Sequence, residues 1–205
     1  MFLDIGANVG WHSFFLGKAG YEVIAFEVSN YNNYILKKNF CLNKDIKITI
    51  INKGIGLENQ KCLLYHPLSN IGNGIISCLE QRNTNEKNKN LVEEVKITKL
   101  SNYINFLSNK NLGLIKIDIE GAEGKAIISG IELISKYHVP FLFIEFTPDY
   151  LKLQGTDPKF FLEIFENNGY KISKYDFLSK KYSSIDELLK INSTNLYIIY
   201  SKFIE

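Results

Sequence analysis

The chain has 205 residues, 45% of them hydrophobic, and a formal net charge of +2. That length supports one domain with a sizeable core. The near-balanced charge gives no electrostatic case for a nucleic-acid or membrane surface, and no apolar run reaches the roughly 18 residues of a membrane span. Cys41, Cys62 and Cys78 are odd in number and lack a CxxC spacing. They are expected as buried, reduced thiols of a cytoplasmic protein.

In chain order, residues 2–5 form a short apolar strand that carries Asp4. The loop Gly6-Ala7-Asn8-Val9-Gly10 follows, and residues 11–19 read as a helix. Strand, glycine loop and helix make the anion-binding corner of a doubly wound sheet. Glycine at 6 and 10 permits positive φ and leaves no Cβ in the way of a ligand. Free amides at the helix start favour an anion. Residues 21–27 form a second strand ending in Glu27, an acid about 20 residues past the loop, which suits a ribose diol. A helix at 30–42 is expected to bury Tyr31, Tyr34 and Ile35. Residues 46–51 form a third strand.

The pattern then changes. Short β-like runs at 62–65, 75–79 and 92–97 are separated by turn residues, and 81–90 is almost wholly polar. This section reads as a small β excursion with an exposed loop. Helical character returns at 99–108, followed by a fourth strand at 112–119. A long helix spans 121–137 with Ala126, Ile127, Ile131 and Ile134 inward, and a fifth strand spans 140–146. Asp157-Pro158 starts a further helix. Late strands at 170–177 and 196–200 flank a weak helix at 185–189. The expected fold is α/β: a Rossmann-like, doubly wound, mostly parallel seven-stranded sheet in a single domain over 1–205. Such folds usually carry structure before the first strand, so a minimal version or a fragment is expected.

Acids collect at the strand ends, where open α/β sheets bind ligands: Asp4, Glu27, Asp118 with Glu120, and Glu145. Asp118 and Glu120, two apart in an extended strand end, point the same way. Glu123 starts the next helix, where its charge is favoured. Lys116 packs its stem in the strand and offers its amine to a nearby carboxylate. The spacing Gly6-x-x-x-Gly10 after Asp4 departs from the GxGxxG of dinucleotide sites. An acid there suits a ligand with an ammonium group, such as S-adenosyl-L-methionine. No His stands in the acidic motif, so no metal is expected. His12 is expected in a packing or surface role.

Four segments together carry a family resemblance: Asp4-x-Gly6-Ala7-Asn8-x-Gly10, Ala25-Phe26-Glu27, Asn39, and Lys116-Ile117-Asp118-x-Glu120-Gly121-x-Glu123, with Ile144-Glu145 besides. Over roughly residues 2–170 the sequence resembles the FkbM-type methyltransferases, class I enzymes that use S-adenosyl-L-methionine and mostly methylate hydroxyl oxygens. The resemblance implies that Asp4, Gly6, Ala7, Asn8 and Gly10 hold the methionine end of the cofactor and Glu27 its ribose. It implies that Asp118 and Glu120 face the sulfonium and the acceptor, a sugar, glycolipid or other small molecule. Glu120 is the first choice as catalytic base and Asp118 the second. Leu100-Ser101 stands where the family often has Leu-Asp. A dinucleotide oxidoreductase and a cofactor-binding module without turnover are the alternatives.

Overall fold

The structure, a computed structural model, describes residues 1–67, 74–78, 90–108 and 110–204, with the backbone alone at 67, 90 and 91. Its centre is β1 (Phe2–Ile5), whose four residues are all buried. A strand covered on both faces must be apolar throughout, and only Asp4 breaks that rule. On one side β1 pairs in parallel with β2 (Val23–Phe26), which pairs with β3 (Ile48–Ile51). The second sheet, described below, supplies β4 to β7. On the other side of β1 lies β8 (Leu114–Ile117), then β9 (Phe141–Phe146). Two antiparallel strands, β10 (Tyr170–Ser173) and β11 (Thr194–Tyr200), complete seven strands in the order β10-β11-β9-β8-β1-β2-β3. The expected mostly parallel, seven-stranded sheet is therefore observed.

Helices cover both faces. On one, α1 (Trp11–Lys18) and α2 (Asn30–Cys41) enclose Phe2, Val23, Ala25, Leu36, Phe40 and Ile46. On the other, α4 (Glu123–Lys136) and α6 (Pro158–Asn167) pack Ile127, Ile134, Phe161 and Phe165 against Leu3, Ile5, Ile117 and Ile144. Between these lie α3 (Ile104–Leu107), α5 (Pro148–Leu153) and α7 (Ile185–Leu188). Asp157 caps α6 by accepting from the Phe160 amide at 2.8 Å, as its sequence position predicts. Among the described residues, no helix is long and apolar enough to cross a membrane.

Three sequence expectations give way. In α2 the inner face is Asn32, Asn33, Leu36 and Phe40, while Tyr31 and Tyr34 point outward. The buried amides have work to do: Asn33 Nδ2 donates to the carbonyls of Glu27 and Ser29. Strand β8 stops at Ile117, so Asp118 and Glu120 are not an extended pair. Glu120 instead adopts a left-handed φ of 56° in a turn.

The cysteines are the third. The excursion is a four-stranded sheet in the order β4 (Gly54–Ile55), β7 (Asn90–Thr98), β5 (Gln60–Pro67), β6 (Ile75–Ser77). The β5–β6 register sets Leu63 against Ser77, and the neighbouring Cys62 and Cys78 are joined in a disulfide. Only that register brings them together, so their spacing gave no sign of it. Reduced thiols therefore no longer support a reducing compartment, and Cys41 is an exposed free thiol. The polar run at 81–90 lies outside the described residues apart from residue 90, which opens β7.

The chain order runs outward from β1 in two directions, and the loops after β1 and β8 diverge between them. That switch point is where a doubly wound sheet opens a crevice. Gly6 lies in it with φ +82°, and a Cβ there would strike the backbone carbonyl of Asp118. A Cβ on Gly10 would strike the Leu36 side chain. At both places glycine allows the close approach of other protein atoms. Gly6→Ala should lower the unfolding temperature much more than Gly155→Ala. Gly155 also has positive φ but has nothing within 4 Å, so its cost is the left-handed strain of about 1–2 kcal/mol. Thermal unfolding of the two variants compares them directly.

Candidate active site

A cavity of about 410 Å³ opens at the switch point. The loop Gly6-Ala7-Asn8, the tip of β2, the turn after β8 and the second sheet form its walls.

Glu27 is the acid at the tip of β2, and only 5% of it is exposed. Its Oε2 accepts from the Asn8 amide at 2.7 Å and its Oε1 from the Ser29 amide at 2.8 Å. Burial pushes its pKa up, and these amides oppose the rise without cancelling it. The Asn32 side chain hydrogen-bonds the carboxylate as well, so about one of its roughly four acceptor sites stays open to another donor. The loop is also tied to α2, because Asn39 Nδ2 donates to the Val9 carbonyl at 2.9 Å. The loop amides expected to be free are largely engaged. Gly6 and Ala7 donate to the Phe26 carbonyl, Asn8 to Glu27, and Gly10 to the Ala7 carbonyl.

Asp4 lies beneath the loop and does not line the cavity. It is fully buried, with Oδ2 accepting from Ser13 Oγ at 2.6 Å. Its Oδ1 accepts no hydrogen bond among the described residues and faces Lys116 Nζ at 3.6 Å. The ammonium beside Asp4 is thus the protein's own. Lys116 also donates to the Gly6 carbonyl at 2.9 Å and pairs with Asp118 Oδ2 at 3.3 Å. One lysine therefore links strand β1, the glycine loop and the Asp118 turn. Gly10, the N-cap of α1, likewise shapes the loop from outside the cavity.

Opposite Glu27, Asp118, Glu120 and Glu145 all line the cavity. Burial, then the Asp118 carboxylate, raises the pKa of Glu120. Burial, then Asp118 and Glu120, pushes Glu145 up to about 7 against the pull of Lys116. A carboxyl that titrates near neutrality suits proton transfer. Glu123 does not line the cavity. It is buried and accepts from the Ile119 amide at 2.8 Å, closing the turn that carries Asp118 and Glu120. His12 lies on the wall beside the Phe143 ring, 6.4 Å between centroids. Ser101 is the second residue of a 3-10 turn, Leu100–Tyr103, and is not among the lining residues.

The structure also adds residues that the sequence did not mark: Ser29, Asn32 and Lys53, and from the second sheet Leu64, His66 and Ile76. Ser29 caps α2 by accepting from the Asn32 amide, so a helix-start pattern could have found it. The second-sheet residues depend on strand register and had no local signal.

Residues 4–172 match the methyltransferase FkbM domain. The chain belongs to that family. Among solved structures it is similar to the FkbM methyltransferase from Methylobacillus flagellatus KT, at 18% identity and a TM-score of 0.57. That alignment covers 96% of this chain and 42% of the other. It is also similar to the bifunctional kinase–methyltransferase WbdD, at 12% identity and a TM-score of 0.53, covering 98% of this chain and 34% of that one. The chain thus spans less than half the length of either structure, and at these identities the likeness shows the fold alone. No curated protein sequence matches it.

The buried acid under the FkbM turn makes stability depend on pH. Burial lifts Glu123 from 4.5 to about 8. Its contribution to stability is therefore full below the unfolded value and falls as pH rises towards 8. Glu123→Gln keeps an oxygen for the Ile119 amide and removes the ionisation. It should unfold at a higher temperature than wild type at about pH 8.5 and close to wild type at about pH 4.5. Thermal scans at the two pH values read this out.

Proposed function

We propose that this FkbM-family chain is an S-adenosyl-L-methionine-dependent O-methyltransferase acting on a hydroxyl of a sugar, glycolipid or other small molecule. One observation carries the reading. A buried acid, Glu27, lines the same cavity as the carboxyl groups of Asp118, Glu120 and Glu145. The lining suits the cofactor. Glu27 can accept from a ribose hydroxyl at its remaining acceptor site, with Val28 and Ile55 as apolar neighbours. Hydrogen bonds of this charged kind contribute about 1.5–3 kcal/mol each. The Gly6-Ala7-Asn8 loop borders the methionine end, Asp4 and Gly10 support it from behind, and Lys116 both braces it and lines the cavity.

When bound, the cofactor supplies an electrophilic methyl group on a positively charged sulfur. The chain's part is alignment and proton removal. Alignment is worth up to about 7–11 kcal/mol, and a positioned base about 10²–10⁴-fold. Glu120 takes the proton of the acceptor hydroxyl on its carboxylate. Asp118, held by Lys116, sets the negative field that favours a cationic sulfur. Glu145 keeps that field close to Glu120.

Isothermal titration with S-adenosyl-L-methionine tests the reading. Saturable binding is expected, and no binding at millimolar cofactor by folded protein would contradict it. Glu27→Ala should weaken binding at least tenfold, about 1.4 kcal/mol. Glu120→Gln should lower turnover and leave cofactor affinity nearly intact. Unchanged turnover would place the base elsewhere.

A further inference from the structure

Glu93 belongs to β7, in the second sheet, yet its carboxylate serves the first turn of α2. Its Oε1 accepts from Ser29 Oγ at 2.7 Å and its Oε2 from the Asn30 amide at 2.7 Å. His66 Nε2, on β5, lies 2.7 Å from the same Oε1, and its side chain is 1% exposed. Strand register explains the meeting, since Leu64 stands opposite Glu93 and His66 is the next residue on that face. A carboxylate at a helix start is favoured by the dipole and the unpaired amides there. Here the helix start does more than begin a helix. The Ser29 amide holds Glu27 Oε1, and the Ser29 hydroxyl is already fixed by Glu93.

Burying Glu93 would by itself raise its pKa. Ser29, Asn30 and His66 more than offset this and hold it below the ordinary carboxylate value. The group is thus set among partners rather than left at a solvated sheet edge. Its contacts run in one direction, from His66 through Glu93 and Ser29 to Glu27. Leu64, His66 and Ile76 of the same sheet line the cavity.

We propose that Glu93 is a positioning residue that fixes Ser29, so that the Ser29 amide keeps the Glu27 carboxylate turned towards the cofactor, with His66 orienting Glu93. The proposal rests on the reading of Glu27 as the ribose acid. It makes the wall built by the second sheet part of the cofactor site: a displacement of that wall is felt at Glu27. Neither His66 nor Glu93 needs to touch the cofactor for this.

A double-mutant cycle read by titration with S-adenosylhomocysteine tests it, with folding checked by thermal unfolding. Glu93→Ala should weaken binding about tenfold, and Glu93→Gln, which retains an acceptor oxygen and can still meet His66, should stay within about threefold of wild type. In a Glu27→Ala background, Glu93→Ala should cause no further loss. Should Glu93→Ala not fold, Glu93→Asp carries the test. It keeps the charge and shortens the reach by one carbon, and a loss that disappears in the Glu27→Ala background is again expected. Wild-type affinity in Glu93→Ala or, where that variant does not fold, in Glu93→Asp, or an equal loss with and without Glu27, would overturn the positioning role while leaving the ribose reading intact. An unaffected Glu27→Ala would overturn both.

Discussion

The site depends on one carboxylate that is almost wholly buried yet forms part of the cavity wall. Glu27 is buried at the tip of β2, and it is tolerated there because two backbone amides point at it, Asn8 from the glycine loop and Ser29 from the start of α2. Burying an ionised group without partners is costly. The partners come from segments on either side of the strand, so the acid fastens loop, strand and helix together. Asn33 and Asn52 complete the arrangement by donating to the Glu27 carbonyl. The polar inner face of α2, unusual for a helix packed on a sheet, follows from this need.

A second buried acid organises the other half. Asp4 breaks the apolar run of β1 and is answered by Ser13 and Lys116. Lys116 then reaches the Gly6 carbonyl and Asp118. The two loops that flank the switch point are thereby held by one ammonium. Gly6 allows the closest approach, since the Asp118 carbonyl occupies the place of a side chain. Asp118 and Glu120 are held near Glu145 of β9 by this clamp and by Glu123, which closes the turn that carries them. Burial, and then the crowding of the carboxylates, raises the pKa of Glu120 and of Glu145.

Much of the fold was legible in the sequence. The alternation of short apolar strands with helices gave the parallel core, and the rule that acids at strand ends gather in one crevice brought Glu27, Asp118, Glu120 and Glu145 together. Local spacing could not tell which of two roles an acid takes. Asp4 read like a ligand group and Glu123 like a helix-start acid, but each has its partners inside the protein. Nor could it reveal the inner face of α2, where Asn32 and Asn33 replace the aromatic residues expected there. The Cys62–Cys78 disulfide and the contacts of His66 and Glu93 arise from the register of strands far apart in the chain. The partners stand 16 residues apart for the cysteines and 27 for His66 and Glu93, and no helix or strand periodicity records such a pairing.

A crystal structure with S-adenosylhomocysteine is the most direct test of Glu27 as the pivot of the site. A ribose hydroxyl should lie within hydrogen-bond distance of the Glu27 carboxylate, with the sulfur facing Asp118 and Glu120. A ribose bound away from Glu27, or a sulfur turned from that acidic wall, would contradict the assignment.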